Sequence, residues 1–177
     1  MKTLYLIRHA KSDWNKEDIS DFERGLGKRG RIDLKMMGSY MAIYNAKPDL
    51  ILSSSALRAQ ITADKLAKKM KYKGPIHYMN ELYMVRPETL INIMTLQDDK
   101  NSKIFLVGHN PELSEFIKFI TDEEFIKLPT LGIVAINFDI DSWEDIEENT
   151  GVIDFFISPK QFKYYMPKQI RTTWDQR

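Results

Sequence analysis

The chain has 177 residues, and its 26 lysine and arginine residues almost balance its 25 aspartate and glutamate residues. This length is typical of one domain, and 43% apolar with 29% charged residues is enough for a core and a solvated surface, which excludes a disordered or fibrous chain. The near-neutral charge argues against nucleic acid as a partner, because a basic face supplies most of the affinity in such complexes.

Cysteine is absent, which excludes disulfides, thiol nucleophiles and thiolate metal sites. With three histidines and no carboxylates at a suggestive spacing, we expect neither a metal site nor a cofactor. The apolar run before Arg8 is too short for a signal peptide, and no stretch reaches the roughly 20 apolar residues of a membrane helix. We expect a cytoplasmic protein without a membrane partner.

Three short, nearly continuous apolar runs predict strands that are covered on both faces of a sheet. The runs are residues 3–7, 49–54 and 103–107. Between and after them, apolar residues recur at helical spacing. The predicted helices are residues 31–44, 57–70 and 88–96, and a fourth that has Asn110 as N-cap and Pro111 as its first residue. Strands that alternate with helices are typical of a parallel sheet with right-handed crossovers.

The last two apolar runs, residues 133–140 and 152–158, have no helical pattern between them and predict an antiparallel pair at the sheet edge. The predicted fold is therefore an α/β domain, a three-layer α/β/α sandwich with a mainly parallel sheet. No repeat or linker divides residues 1–177. We expect the acidic segment 139–148 to be a solvated loop and the basic segment 159–177 to be a tail.

Polar residues follow each of the three predicted parallel strands, at the edge where open α/β sheets bind ligands. Arg8 and His9 follow the first strand, Arg58 follows the second, and His109 follows the third. The sequence therefore predicts that two histidines and two arginines meet at one edge of the sheet.

These residue types suit a phosphate. Arg58 lies in the first turn of a helix that we expect Ser55 to cap, where the helix dipole is already positive, and a bound anion would resolve that conflict. Arg8 would add a second guanidinium. A neutral His9 can act as a nucleophile and His109 can stabilise an oxyanion, which are the contributions that phosphoryl transfer requires of a protein.

Four segments, in order over residues 1 to about 120, carry these side chains or support them. They are residues 8–15 (RHAKSDWN), 26–30 (LGKRG), 53–63 (SSSALRAQITA) and 107–111 (VGHNP). They resemble, in the same order, the Arg-His-Gly signature, the Leu-Thr-x-x-Gly element, the second-arginine segment and the second-histidine segment of the histidine phosphatase, or phosphoglycerate mutase-like, superfamily. The short chain and the Arg-His-Ala-Lys-Ser opening look most like the SixA-type phosphohistidine phosphatases.

The resemblance implies a phosphoglycerate mutase-like fold and a metal-independent phosphatase that forms a covalent phosphohistidine intermediate on His9. By motif matching, Arg8, Arg58 and His109 are catalytic residues that also bind the transferring phosphoryl group, and Asn15 assists in substrate binding. The implied substrate is a phosphohistidine on a protein or another phosphomonoester. The oligomeric state does not follow from the resemblance.

Glu81 lies where many members of the superfamily carry their proton donor, and a buried carboxyl there would have a raised pKa suited to a general acid. The alternative is that Glu81 faces solvent or caps the helix that begins near Pro87. His77, the remaining histidine, alternates with apolar neighbours and is expected to be structural.

Three other functions stay open: a small-molecule phosphoesterase, a phosphosugar mutase of the same superfamily, and a phosphoprotein-binding module without turnover. A mutase must retain and reorient its product, and no segment is long enough for a substantial helical lid. The intact charged positions argue against a binding module. An open cleft favours a phosphorylated side chain on a protein surface as the substrate.

Overall fold

The computed structural model describes residues 1–15, 18–123 and 127–165, which form a sheet flanked by helices. The strands are β1 Lys2–Arg8, β2 Leu50–Ser54, β3 Ile76–Met79, β4 Lys103–Gly108, β5 Ile133–Phe138 and β6 Gly151–Ile157. The helices are α1 Lys28–Ile43, α2 Leu57–Lys69, α3 Pro87–Thr95, α4 Glu112–Thr121 and α5 Pro159–Tyr165, with 3-10 turns at Asn80–Leu82 and Trp143–Asp145. None of the helices in these ranges has the length and apolar composition needed to span a bilayer.

The described strands form one sheet in the order β3-β2-β4-β1-β5-β6. The first four in that order are parallel, β1 pairs antiparallel with β5, and β5 pairs antiparallel with β6. The predicted mainly parallel sheet with an antiparallel edge is confirmed. The register places Arg8 of β1 beside Gly108 of β4, so these two strands end at the same level.

Alternate residues of the central strands face opposite sides of the sheet, and both sides are buried. Leu4 and Leu6 belong to a core with α3 and α4, whereas Tyr5 and Ile7 belong to a core with α1 and α2. Burying an aliphatic side chain of this size contributes about 1.5–3 kcal/mol. The two cores explain why the strand sequences are continuously apolar, and they make the predicted three-layer arrangement.

The start of α2 differs from the prediction. The helix begins at Leu57 with Ala56 as its N-cap, so Ser55 is not the cap. The hydroxyl of Ser54 instead accepts the N–H of Ala56 at 3.3 Å. Among the described residues, no side chain caps α2, and the Ser54 hydroxyl also contacts the site described below.

The start of α4 also differs. The helix begins at Glu112 with Pro111 as its N-cap, and the peptide bond before Pro111 is cis. Asn110 is therefore not the N-cap. Its side-chain amide donates to Ser114 Oγ at 2.8 Å and to the carbonyl of Leu128 at 2.9 Å. A tertiary contact to the segment before β5 replaces the predicted local one.

The chain after β5 is more ordered than predicted. Within the acidic segment 139–148, Trp143 is fully buried and its indole N–H donates to the carbonyl of Asn101 at 2.7 Å. The predicted basic tail begins with α5, and residues 166–177 lie outside the described residues. The acidic segment is therefore anchored to the core rather than being only a solvated loop.

The loop after β1 is held against the segment that leads into α1. The N–H of Gly27 donates to the carbonyl of Lys11 at 3.0 Å, and the N–H of Asp13 donates to the carbonyl of Gly25 at 2.9 Å. Gly30, in the first turn of α1, lies so close that a β-carbon there would be 2.2 Å from the Lys11 carbonyl oxygen. Glycine is needed at position 30 because the backbone of α1 contacts the backbone of the loop after β1 there.

This close approach predicts that Gly30→Ala destabilises the protein by about 2 kcal/mol or more, although alanine is the better helix former by about 1 kcal/mol. Urea unfolding measures the difference. Gly25→Ala is the matched control, because its β-carbon would lie 3.7 Å from the nearest neighbour. Equal stability of Gly30→Ala and wild type would contradict the contact.

Candidate active site

A cavity of about 320 Å³ opens at the carboxyl ends of β1, β2 and β4. It contains all four residues that the strand pattern predicts to converge, namely Arg8, His9, Arg58 and His109. Ten further residues line it: Lys11, Ser12, Trp14, Asp21, Tyr83, Met84, Asn110, Pro111, Glu112 and Thr130. We call this cavity the phosphate pocket.

The two histidines are neighbours because β1 and β4 run in parallel and end together. The N–H of His9 donates to the carbonyl of Gly108 at 3.0 Å, one residue before His109. The two imidazole rings lie 5.0 Å apart between centroids. Both side chains are buried.

The hydrogen bonds of His9 fix its tautomer. Nδ1 lies 2.8 Å from the carbonyl oxygen of Ala10, to which it can only donate, and Nε2 lies 3.3 Å from Nε of Arg58, from which it can only accept. Nδ1 therefore carries the proton and Nε2 keeps its lone pair. An unprotonated nitrogen held in place on both sides is the form in which an imidazole acts as a nucleophile.

The electrostatic environment keeps His9 neutral. Burial lowers its pKa, the charges of Arg58 and Arg8 lower it further, and the hydrogen bond to Ala10 opposes the shift, which leaves the pKa at about 4. At neutral pH the ring is therefore a free base.

Arg58 links the histidines to an acidic loop. It is the second residue of α2 and is buried. Its Nη2 donates to the carboxylate of Asp21 at 2.8 Å and lies 3.3 Å from Nδ1 of His109, while Nη1 donates to the Asp21 carbonyl. The hydroxyl of Tyr83 donates to the same carboxylate at 2.8 Å. The guanidinium is thus fixed before any substrate binds.

Asp21 and Tyr83 are not in any of the segments that sequence reasoning singled out. Burial opposes ionisation of Asp21, but the hydrogen bond from Tyr83 and the charge of Arg58 hold its pKa below its usual range. Asp21 therefore acts as a charge partner of Arg58. The helix dipole disfavours a cation in the first turn of a helix, so the position of Arg58 was a sequence signal that it needs an anionic partner.

His109 is held in a neutral form as well. Arg58 can only donate to its Nδ1, so its Nε2 carries the proton and donates to Oγ of Ser54 at 2.8 Å. Burial, followed by repulsion from His9 once it is protonated and from Arg58, lowers the pKa of His109 to about 3. A dianionic ligand beside the ring would oppose these effects and favour its protonated, donating form.

Arg8 offers a donor to the pocket. Its Nη1 donates to the carbonyl of Leu128 at 2.9 Å, while its buried Nε has no acceptor among the described residues. Burial and the charge of Arg58 lower its pKa, and Glu112 opposes this. The guanidinium groups of buried Arg58 and half-buried Arg8 together make the pocket selective for an anion.

The remaining predicted site residues lie elsewhere. Glu81 is exposed on the 3-10 turn before α3, and Asn15 is exposed in the loop after β1; neither lines the phosphate pocket. The structure therefore does not bring the predicted general acid to the site. His77 is exposed on β3. Within the described ranges, no group of three or more histidine or acidic side chains could hold a metal ion.

The carboxyl groups that do line the pocket belong to Asp21 and Glu112. Glu112 is the first residue of α4, and its buried Oε2 has no hydrogen-bond partner in the part of the chain that the structure describes. The sequence does contain a signal for Glu112 as a pocket residue. It lies three residues after His109, at the start of a helix on the ligand-binding edge of the sheet.

Comparison with known proteins agrees with this geometry. The model of the histidine phosphatase superfamily (branch 1) matches residues 4–83. A solved protein of Agrobacterium tumefaciens that is assigned as a SixA phosphohistidine phosphatase has 27% sequence identity and a TM-score of 0.78, and covers 89% of this chain and 98% of that one. In sequence and in fold, the chain is similar to the histidine phosphatase superfamily.

Two further matches cover most of the chain. An uncharacterized protein of Mycobacterium leprae is 25% identical over 166 residues, which are 87% of this chain and 100% of that protein. The fold also matches a protein histidine phosphatase SixA in complex with tungstate, at a TM-score of 0.78 and 16% identity over 90% of this chain and 99% of that one. His109 lies beyond the residues that the family model matches, and the fold brings it to the pocket.

The two neutral histidines predict that the protein is sensitive to acid. Their pKa values of about 4 and about 3 lie below the unfolded value of 6.5, so the unfolded chain takes up protons first as the pH falls. The free energy of unfolding is therefore highest above pH 6.5 and decreases below it, by about 2 kcal/mol per histidine at pH 5.

Urea unfolding at pH 7 and pH 5 checks this for the wild type and for the His9→Asn, His109→Asn double variant. The double variant should lose less stability between the two pH values than the wild type. An equal loss in both proteins would assign the acid sensitivity to other groups.

Proposed function

We propose that the protein is a metal-independent phosphatase that hydrolyses phosphohistidine on a protein through a covalent intermediate on His9. The observation that carries the proposal is the unprotonated Nε2 of His9 in a pocket that Arg8 and Arg58 also line. The likeness to the Agrobacterium tumefaciens protein assigned as SixA supports this substrate class.

The reaction has two displacements at phosphorus. In the first, the lone pair on Nε2 of His9 attacks the phosphorus, an N–P bond forms, and the bond to the leaving atom breaks. Arg8, Arg58 and His109 stabilise the charge on the transferring oxygens. In the second, water attacks the phosphohistidine, which releases inorganic phosphate and restores His9. The proton that the leaving group gains is balanced by the proton that the attacking water loses.

The acid chemistry of the pocket favours a leaving group that departs easily. Among the described residues, Asp21 and Glu112 are the pocket carboxyls, and Asp21 is held ionised by Arg58. Glu112 is therefore the group in position to donate a proton and recover it from water. An imidazole leaving group can carry a proton on its other nitrogen before the bond breaks, whereas an alkoxide must be protonated as it leaves.

His9→Ala should reduce phosphate release from a phosphohistidine peptide by at least about 10³-fold, because the variant has no nucleophile. The assay includes EDTA, which should leave wild-type turnover unchanged. His77→Ala is the matched control, since His77 is exposed on β3 and does not line the pocket. Retained turnover in His9→Ala, or loss of wild-type turnover with EDTA, would overturn the proposal.

Glu112→Gln should slow an alkyl phosphate by about 10²-fold or more, p-nitrophenyl phosphate less, and a phosphohistidine peptide least. The order follows the demand of each leaving group for a proton. Glu81→Gln is the matched control and should change none of the three rates, because Glu81 is exposed outside the pocket. A uniform loss across the three substrates would exclude Glu112 as the acid.

A further inference from the structure

A second cavity, of about 580 Å³, lies between α1 and α2. We call it the basic groove. Six of its nine lining residues are basic, namely Arg31, Lys35, Lys65, Lys68, Lys69 and Lys71, and the other three are Leu26, Leu34 and Ile61. Aliphatic side chains thus form its floor, and cations surround them.

The charge of the basic groove is uncompensated. All six basic side chains are exposed, and none forms an ion pair with an acidic side chain of the described chain. No acidic residue lines the groove. Like charges gathered on two adjacent helices repel each other, and a bound polyanion would remove that repulsion. This charge density contrasts with the net charge of +1 for the whole chain.

A smaller cavity adjoins the basic groove on the side of the phosphate pocket. It has a volume of about 280 Å³, shares Leu26, Arg31 and Ile61 with the groove and also contains Arg24. The Arg24 guanidinium lies 4.4 Å from the ring centroid of Trp14, which lines the phosphate pocket. An extended chain could therefore occupy the groove while a residue a short distance along it reaches His9.

This smaller cavity differs from the basic groove in that two of its lining residues, Asp13 and Glu23, are acidic. Asp13 accepts the N–H of Asn15 at 3.0 Å, and Glu23 accepts the hydroxyl of Ser20 at 2.7 Å. Both carboxylates are thus bonded within their own loop. The preference for negative charge is confined to the groove itself.

The lining chemistry selects among polyanions. Proteins that bind single-stranded nucleic acids add base stacking on aromatic side chains to the attraction of a basic surface, and no aromatic side chain lines the basic groove. The aliphatic floor requires apolar groups between the negative charges, which acidic polypeptides with leucine or isoleucine provide. We propose that the basic groove binds an acidic, aliphatic-containing segment of the phosphoprotein substrate and thereby determines which phosphoproteins are dephosphorylated.

This inference rests on the proposed function for its substrate, so its first test is independent of turnover. A fluorescent, unphosphorylated peptide rich in Glu and Leu is titrated with the protein, and fluorescence anisotropy gives the Kd. Reversing three charges in the Lys65→Glu, Lys68→Glu, Lys69→Glu variant should raise the Kd at least about tenfold. Replacing Glu by Gln in the peptide should raise the Kd of the wild type similarly.

The matched control is the Lys47→Glu, Lys103→Glu, Lys160→Glu variant, which has the same change in charge at exposed positions outside the groove. Its Kd should stay within about threefold of the wild type, as expected for a screened surface charge. The Lys65→Gln, Lys68→Gln, Lys69→Gln variant removes the three charges without placing acids near the end of α2. It should also raise the peptide Kd, by a smaller factor than the glutamate variant.

Turnover then separates this inference from the proposed function. The groove variant should raise KM for an acidic phosphohistidine peptide and leave kcat for p-nitrophenyl phosphate unchanged. If both substrates are hydrolysed normally and the peptide Kd does not depend on the three lysines, the groove inference is wrong. If the peptide Kd depends on the three lysines but phosphate is released from neither substrate, the proposed function is wrong and the groove inference is supported. Tighter binding of a single-stranded oligonucleotide than of the peptide would overturn the assignment to a polypeptide.

Discussion

The buried guanidinium of Arg58 is the interaction on which the rest of the site depends. It donates to His9, contacts His109 and is held by Asp21, so one side chain sets the tautomer of the nucleophile and the charge of the pocket. Burial of a cation is costly unless its hydrogen bonds are satisfied, and Asp21 and the histidines satisfy them. The same burial and charge keep both imidazoles neutral. Nucleophilicity at His9 and selectivity for an anion therefore have one physical cause.

The second requirement is rigidity in the loop that carries the nucleophile. Backbone hydrogen bonds tie residues 11–13 to residues 25–27, and Gly30 allows α1 to approach the Lys11 carbonyl. A loop with these contacts holds the His9 backbone against β4, so little reorganisation is needed when phosphate arrives. The Leu26–Gly30 element, which runs into the first turn of α1, thus supports the active site through its backbone, although none of its side chains lines the phosphate pocket.

The sequence predicts the features that depend on strand and helix periodicity, and it fails where long-range contacts decide. Continuous apolar strands predicted a sheet buried on both faces, and the parallel topology then predicted that Arg8, His9, Arg58 and His109 meet. Ser55 and Asn110 looked like helix caps, but Ala56 and Pro111 hold those positions, and the Asn110 side chain donates to the carbonyl of Leu128 instead. The position of Glu81 left open whether it is the proton donor or faces solvent, and its side chain is exposed. The contact between Asp21 and Arg58 joins residues 37 positions apart and has no periodic signal.

The phosphate pocket and the basic groove have complementary tasks under the proposed function. Two guanidinium groups recognise a phosphoryl group on any carrier, because the oxygens that they contact are the same in every phosphomonoester and phosphoramidate. Such a pocket discriminates weakly between phosphorylated substrates. Because imidazole leaves easily, the leaving group adds little further discrimination. Selectivity among phosphoproteins must then come from contacts outside the pocket. The groove supplies them through long-range attraction and an aliphatic floor. Because a single substrate chain would bind both the groove and the pocket, binding of a distant segment raises the effective concentration of the phosphohistidine at His9.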